Sequence, residues 1–322
     1  MKGVAPVSES NAMKTSPRLH ARRRFRPLAA AAAALVAPVL GACSHTTETV
    51  SKHREARVFH VDHADLERFD VTSQKGRIDI APHGTELPKW ARDEVETLPV
   101  ERPGEVMIIA VLQSDERERL EDVTLEPRTE DGTLRLKADW PYSFSDDDGD
   151  GVEFAIRAPS ILHVSGDTGF GDIRIEHAGG LVEIDTGFGD IRLTEQAGPV
   201  DAETGFGDVR VAFTGEHTEE SDLDSGFGDI RATNVSGPIK ANSGFGDVRL
   251  QLTDDNAGPV DADSGFGDVR IDAGPAFAGR SLPTSGFGNA RVKYQDDDER
   301  RETSNVSTGF GDATVTIRSR DD

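Results

Sequence analysis

Residues 262–274 read ADSGFGDVRIDAG, and the centre of this stretch occurs eight times between Gly169 and Asp312. Each copy opens with Ser or Thr and continues with Gly-Phe-Gly and then Asp or Asn. The opening residues follow one another at intervals of 18 to 23 residues. A period near 20 predicts a solenoid, in which units stack because none of them can bury its apolar face alone.

Apolar and charged residues alternate on both sides of the Gly-Phe-Gly triplet. Val260 and Ala262 precede the triplet, Val269 and Ile271 follow it, and charged residues stand between the members of each pair. This period of two is typical of half-buried strands. The sequence therefore predicts an all-β fold, a single-stranded β-helix or β-solenoid of about eight rungs of 18–23 residues, preceded by an irregular β-rich half.

The repeated phenylalanine is a candidate core residue. The glycines on either side permit a tight corner, and an aromatic ring between them can bury a large area against the next ring. We expect an inward core ladder, and an exposed aromatic stripe that binds sugars is the alternative. The ladder consists of Phe170, Phe188, Phe206, Phe227, Phe245, Phe266, Phe287 and Phe310.

Charged residues fall into columns that the alternation places outward. Stacked like charges repel, whereas opposite charges two residues apart compensate, so we expect a solvated lattice of weak ion pairs. A further column before the corner, with Asp201 and Glu203 among its members, is nearly all acidic and is a candidate surface for Ca²⁺ or a polycation, or a solubilising face. The two columns after the corner are Asp172, Asp190, Asp208, Asp229, Asp247 and Asp268, and Arg174, Arg192, Arg210, Arg231, Arg249 and Arg270.

The N-terminus carries an export signal. A basic segment precedes an apolar stretch at 28–40, which is too short to span a bilayer comfortably. Leu40-Gly41-Ala42 before Cys43 resembles the lipobox of bacterial lipoproteins, and the resemblance implies that Cys43 is lipidated and that the protein is sorted to the outer membrane. The segment RRRFRP resembles a twin-arginine signal, so Sec and twin-arginine export both remain open. A soluble secreted protein with a free cysteine is the alternative.

These patterns divide the chain into four parts: a lipoprotein signal peptide at 1–42, the lipidated Cys43 and a polar tether at 43–55, a degenerate β-rich part at 56–160, and the repeat solenoid at 161–322. Within the third part, SDDDGDGVEF at 145–154 resembles half of a calcium loop. Asp146, Asp148 and Asp150 are its candidate ligands, but Arg157 stands where an EF-hand needs Glu. This segment is an incomplete Ca²⁺ site or an acidic turn, and we expect no other cofactor.

The composition limits the classes of molecule that can be direct partners. The formal net charge is −23, which disfavours nucleic acid and anionic membrane surfaces as direct partners and favours cations and basic partners.

Residues 152–193, VEFAIRAPSILHVSGDTGFGDIRIEHAGGLVEIDTGFGDIRL, resemble the bacterial putative adhesin family of β-strand-repeat proteins. Ala158-Pro159 stands at the proline position of the family's passage. The resemblance implies a single-stranded β-helix exposed to the cell envelope, without a known reaction. The uniform Gly-Phe-Gly-Asp departs from the family pattern and indicates a specific lateral surface.

The sequence contains no nucleophile elbow, Ser/His/Asp set, catalytic cysteine or phosphate loop. It predicts a non-catalytic, envelope-anchored lipoprotein that presents a repetitive surface as an adhesin or envelope scaffold, and that faces the periplasm or the cell surface. Polysaccharide, an envelope protein and further copies of the chain are the candidate partners. The alternatives are a periplasmic envelope-stress sensor or assembly scaffold, and a β-helix enzyme that acts on polysaccharide.

Overall fold

The computed structural model describes residues 53–140, 149–159, 161, 163–256, 258–274, 282–287, 290–294 and 305–317. Up to residue 158 these form eight strands and two short helices: β1 (His53–Asp62), β2 (Arg68–Lys75), β3 (Ile78–Pro82), α1 (Lys89–Arg92), β4 (Glu105–Ser114), α2 (Arg117–Asp122), β5 (Thr124–Leu125), β6 (Arg128–Glu130), β7 (Thr133–Asp139) and β8 (Gly151–Ala158).

From residue 163 onward, the described part of the chain is built from pairs of strands, each pair joined at one Gly-Phe-Gly corner. The pairs are β9 (His163–Phe170) and β10 (Ile173–Glu176), β11 (Val182–Phe188) and β12 (Ile191–Gln196), β13 (Val200–Phe206) and β14 (Val209–Phe213), β15 (Ser221–Phe227) and β16 (Ile230–Val235), β17 (Ile239–Phe245) and β18 (Val248–Leu252), β19 (Val260–Phe266) and β20 (Val269–Ala273), β21 (Leu282–Phe287) and β22 (Ala290–Tyr294), and β23 (Asn305–Phe310) and β24 (Ala313–Ile317).

The strands before the corners and the strands after them form two separate sheets. Within the described residues each sheet has twelve strands, and the strands of the repeat pair in parallel. We call the first the acidic sheet, in the order β21-β23-β19-β17-β15-β13-β11-β9-β2-β7-β5, with β6 beside β7, and the second the arginine sheet, in the order β1-β4-β8-β3-β10-β12-β14-β16-β18-β20-β24-β22. Equivalent positions face each other in successive rungs, and Phe188 for example pairs with both Phe170 and Phe206. The predicted all-β solenoid is confirmed.

The N-terminal half belongs to the same stack. β2 lies beside β9, and β3 lies beside β10, so residues 68–82 form a rung of their own next to the first repeat. Lys75 occupies the position of the phenylalanine in this rung and pairs with Phe170. Each of the two sheets is therefore continuous from the N-terminal half into the repeat.

Antiparallel strands close the N-terminal end of the stack. β4 pairs antiparallel with both β1 and β8, and β5 and β6 pair antiparallel with β7. The segment around α1 covers the outer face of β4, where Ala91 packs with Met107, Ile109 and Val111. Because β4 and β8 are covered on both faces, both strands are buried along most of their length, although β8 contains the charged residues Glu153 and Arg157.

The C-terminal rungs do not follow the order of the chain. The last repeat unit carries Thr314 in place of the arginine, a departure from the consensus that predicts a terminal cap, and this prediction is wrong. β23 and β24 lie against β19 and β20, while β21 and β22, which come earlier in sequence, lie outside them. The inner rung continues both side-chain ladders, because Thr308 Oγ1 donates to the carbonyl oxygen of Gly267 and the backbone N–H of Asp312 donates to Asp268 Oδ1.

The core between the sheets is aliphatic. Within the repeat it consists of the inward Val, Ile, Leu and Ala of each rung, and residues such as Val209, Ile230 and Val248 have no exposed surface. The phenylalanine ladder does not belong to it, so the expected core ladder is wrong. In the rungs whose side chains are described, a serine or threonine two residues before each phenylalanine is the last buried side chain of its strand.

That buried hydroxyl explains why the rings lie outside. Thr204 Oγ1 donates to the carbonyl oxygen of Gly189 at 3.0 Å, and Ser225 Oγ donates to that of Gly207 at 2.9 Å. The same bond recurs from Thr168 to Thr308 in every rung between them. The hydroxyl satisfies a corner carbonyl that would otherwise be buried without a partner. The strand then passes the edge of the core, and the following ring projects into solvent.

Candidate functional site: an aromatic ridge between two charged faces

The ladder of phenylalanines is a continuous, solvent-exposed ridge along one edge of the solenoid. Neighbouring ring centroids are 4.6–4.9 Å apart, and neighbouring ring planes deviate from parallel by 1–7°. Seven of the residues are 46–48% exposed, and Phe287 is 69% exposed. We call this set the Phe ridge; in spatial order it comprises Phe170, Phe188, Phe206, Phe227, Phe245, Phe266, Phe310 and Phe287.

The stacking decides which part of each ring is available to a ligand. Every interior ring of the ridge has another ring against each of its two faces, so only the ring edges meet solvent. At the N-terminal end, Lys75 Nζ lies 6.0 Å from the centroid of Phe170, a cation–π distance. The ridge therefore offers a strip of apolar edges, and its interior rings have no free face on which a sugar could stack.

The aspartate that follows each corner is a hydrogen-bond acceptor for the next rung. Asp172 Oδ1 accepts the backbone N–H of Asp190, and the same bond repeats up to Asp312 at donor–acceptor distances of 2.7–3.0 Å. Their alternation in the sequence predicts only an ion-pair lattice and does not show this hydrogen-bonding role. The usable signal was the position of the acid, which follows the second glycine directly in all but one of the copies. Asn289, the exception, lies outside the described residues.

The arginines on the outer face of the arginine sheet contact these same aspartates. Arg249 pairs with Asp247 of its own rung and with Asp229 of the preceding rung, where the Nη1–Oδ2 distance is 3.2 Å. Arg210 and Arg270 make the corresponding pairs, whereas Arg174 pairs with Glu176. Arg192 and Arg231 are exposed and form no ion pair with any described residue.

The outer face of the acidic sheet carries two adjoining columns of carboxylates. The column nearer the Phe ridge includes Asp185, Glu203 and Asp224, and the farther one includes Asp201 and Asp222. Burial, and next the neighbouring carboxylates, raise the pKa of Asp185, Asp201 and Glu203, and raise that of Asp222 to about 6. The neighbouring carboxylates of this face therefore repel one another.

The predicted calcium loop is only partly described. Asp146 and Asp148 lie outside the described residues. Asp150 is buried, and its carboxylate accepts hydrogen bonds from Ser114 Oγ at 2.5 Å and Arg119 Nη1 at 2.8 Å. Among the residues that the structure describes, no group of three or more His, Cys, Asp or Glu side chains is arranged to hold a metal ion.

One serine–histidine pair has the distance of a hydrolytic dyad. Ser236 Oγ lies 2.9 Å from His217 Nδ1, beside a cavity of about 540 Å³. The hydroxyl is already engaged, because it accepts the N–H of His217 and donates to the carbonyl oxygen of Gly215. Nε2 of His217 is buried and has no hydrogen-bond partner in the described chain, so no carboxylate orients this imidazole.

The membrane anchor predicted at Cys43 lies outside the described residues, as do the signal peptide and most of the tether. In the described part of the chain, no helix is long and apolar enough to cross a membrane.

Comparison with known proteins places the chain in a family. The family model described as Toastrack DUF4097 matches residues 156–322, just over half of the chain. The chain belongs to the Toastrack DUF4097 family. The Toastrack match begins inside β8 and includes every rung of the Phe ridge, which confirms the resemblance stated from the sequence. The family is one of unknown function.

Solved structures similar to this Toastrack chain include a putative adhesin from Bacteroides fragilis NCTC 9343, at 15% identity and a TM-score of 0.43, covering 83% of this chain and 98% of that one. A putative adhesin from Parabacteroides merdae ATCC 43184 is 10% identical, with a TM-score of 0.29 and coverage of 82% and 96%. A putative cell adhesion protein from Clostridium sporogenes ATCC 15579 is 12% identical, with a TM-score of 0.24 and coverage of 82% and 100%. Among curated proteins, none matches the chain.

Proposed function

We propose that this Toastrack protein is a non-catalytic, adhesin-like binding module of the bacterial cell envelope that contacts a protein partner through the Phe ridge. The proposal rests on the solvent exposure of the ridge. A phenylalanine side chain offers about 150–250 Å² of surface, so eight half-exposed rings present on the order of 700 Å² of apolar surface. Monomeric soluble proteins rarely expose continuous apolar patches beyond a few hundred Å² unless the patch binds something.

The support of the ridge suits a binding surface. Each corner is fixed by a backbone ladder, a buried hydroxyl and an aspartate that accepts the next amide. The rings are therefore pre-positioned, and little conformational entropy is lost when a partner covers them. Charged columns on both sides keep the ridge soluble while it is unoccupied.

The remaining features favour binding over catalysis. Enzyme sites interrupt the regularity of their scaffold, whereas the ridge and its flanking columns repeat the same chemistry from rung to rung. Ser236 and His217 lack the orienting carboxylate and the free hydroxyl of an acyl-transfer site. Because the ring faces are stacked on one another, the ridge disfavours polysaccharide as a partner and favours a protein surface.

The predicted lipidation of Cys43 would anchor the solenoid in the envelope, in keeping with similar solved structures whose names describe adhesins. A scaffold or stress sensor in the periplasm would use the same ridge on the other side of the outer membrane. Protease treatment of intact cells that carry an epitope after Asp322 separates the two. Loss of the epitope supports an adhesin, and protection until the outer membrane is permeabilised supports a periplasmic scaffold.

Replacing Phe206, Phe227 and Phe245 with serine should remove ridge-dependent adhesion. Cells that express the full chain should adhere to collagen-coated wells several-fold more than cells without it, and no more than those cells to alginate-coated wells. The triple variant should return adherence to collagen to the background, because the apolar strip is interrupted at its centre.

A matched control carries Ala197→Ser, Thr233→Ser and Gln251→Ser, three substitutions away from the ridge. It should adhere like the wild type, and the amount of chain and its thermal unfolding are measured for both variants. Equal adherence of a folded ridge variant and the wild type would rule out the ridge as the binding surface.

A further inference from the structure

The two flanks of the Phe ridge differ in charge. On the arginine sheet, the Arg column lies beside the Asp column that compensates it, and Arg192 and Arg231 lack ion-pair partners among the described residues. On the acidic sheet, the column next to the ridge is acidic, with Asp185 and Asp224 at the levels of these two arginines. A partner that covers the ridge and complements both flanks must therefore carry carboxylates on one side and cations on the other.

We propose that a second copy of this chain occupies the Phe ridge, in a parallel dimer whose two-fold axis runs along the stacking direction. The proposal rests on the proposed function in one respect, namely that the ridge is a binding surface, and a second copy and an external protein partner then compete for the same rings. Two ridges then meet ring edge to ring edge, and each rung lies beside the same rung of the other copy.

Symmetry selects the parallel arrangement. The two sheets form opposite faces of the solenoid, with the ridge at one edge between them. A two-fold axis parallel to the stack places the arginine sheet of one copy next to the acidic sheet of the other. An antiparallel pair places acidic sheet beside acidic sheet, where carboxylates whose pKa values are already raised by burial and by neighbouring carboxylates would repel each other.

The parallel arrangement brings Arg192 and Arg231 of each copy towards Asp185 and Asp224 of the other. The ridge supplies on the order of 700 Å² of apolar surface, close to the roughly 800 Å² per partner of a standard stable interface. The net charge of −23 opposes association at long range. At physiological ionic strength this repulsion is screened beyond about 8 Å, whereas the contacts across the ridge are shorter.

Cysteine cross-linking of the full chain in cells tests the arrangement directly. Phe188→Cys, Phe227→Cys and Phe266→Cys are made singly, and cells are treated with a membrane-permeant bismaleimide before denaturing electrophoresis. In the parallel dimer each position lies opposite itself, and the neighbouring rings that meet edge to edge hold its two Cα atoms farther apart than the roughly 7 Å limit of a disulfide, a gap that the linker spans. All three variants should therefore convert most of the chain to a species of twice the mass.

The outcomes that would overturn the proposal are distinct. Ala197→Cys at the opposite edge of its rung, and the unsubstituted chain with Cys43 alone, should stay monomeric. Cross-linking from the central Phe227→Cys alone, or between Phe188→Cys and Phe266→Cys chains expressed together, would indicate an antiparallel pair. Absence of cross-linking from all three folded variants would indicate that no second copy covers the ridge.

A charge exchange tests the flanks separately in the Phe227→Cys background. Arg192→Glu with Arg231→Glu should lower the cross-linked fraction at least fivefold, because acidic columns then face each other. Adding Asp185→Arg and Asp224→Arg should restore at least half of the fraction, since the complementarity is rebuilt with its signs reversed. Failure of the restoration in a folded chain would contradict the assigned pairing.

The two proposals can fail independently. Adhesion that needs the ridge, without any cross-linking, would leave the proposed function in place and remove the dimer. Cross-linking from all three positions, with adhesion that ignores the ridge, would leave the dimer and remove the proposed function.

Discussion

Gly207→Ala should prevent the solenoid from folding, or lower its free energy of unfolding by about 4 kcal/mol or more, because backbone strain and overpacking add at this position. Gly207 has φ +154°, and a Cβ built on it would lie 2.1 Å from the carbonyl oxygen of Gly189 in the rung before. The neighbour is backbone held by the corner ladder, so it cannot move aside without separating the rungs. Urea denaturation followed by circular dichroism measures the change.

Gly215→Ala is the matched control for this prediction. Gly215 also has a positive φ, +72°, but a Cβ there would meet nothing within 4 Å. Its cost should be only the left-handed backbone conformation, about 1–2 kcal/mol. Equal losses from Gly207→Ala and Gly215→Ala would mean that the rungs do not approach as closely as the structure shows.

Arg157→Met should lower the free energy of unfolding by about 3–5 kcal/mol, the usual cost of removing one partner from a buried ion pair. Arg157 is 1% exposed, and its Nη1 lies 2.7 Å from Asp79 Oδ1. It also donates to the carbonyl oxygens of Thr85 and Glu86, which holds the segment after β3 against the sheet. Burial raises the pKa of Asp79 even with the Arg157 guanidinium opposing it, so the isolated carboxylate would be costly.

Two further variants serve as controls for the stability measured with Arg157→Met. Arg77→Met removes a half-exposed partner of Glu153, 3.7 Å away, and should cost no more than about 1 kcal/mol. Asp79→Leu combined with Arg157→Met should recover most of the loss, because no buried charge is left unpaired. An Arg157→Met chain as stable as Arg77→Met would show that the ion pair is not buried in solution.

The solenoid was predictable because its signal is redundant. Eight copies of one motif fix the period, and alternation such as Val269 and Ile271 around Arg270 fixes strands and their inner face. The role of the glycines in the tight corner could also be predicted from their chemistry alone. Local pattern sufficed here because each rung contacts only its neighbours.

The position of the Phe ridge was not predictable from alternation. By period two, Phe206 belongs to the same side as Ala202 and Thr204, which are buried. Alternation assigns a side chain to a face but does not show where the opposite sheet ends. The corner carbonyls need a donor inside the core, and the small hydroxyl of Thr204 takes that place. The recurring Ser or Thr was visible in the sequence, but its partner is an atom of the preceding rung.

The order of the last two rungs was also beyond the sequence. Sequential stacking is the default for repeats, and only long-range pairing shows β23 inserted between β19 and β21. The N-terminal rung was recognisable from its Gly-x-Ile-x-Ile echo at residues 76–80, although Lys75 in place of phenylalanine concealed its register.

Hydroxyl-radical footprinting of the full chain, with oxidation quantified at each phenylalanine, tests the exposure of the ridge most directly. Phe69, Phe154 and Phe213 are buried and serve as internal references in the same sample. At protein concentrations low enough to keep the chain monomeric, Phe188, Phe206 and the other ridge residues should be oxidised several-fold faster than these references. Oxidation of the ridge residues as slow as that of Phe154 would mean that the rings lie inside the core, and it would contradict the binding surface proposed for them.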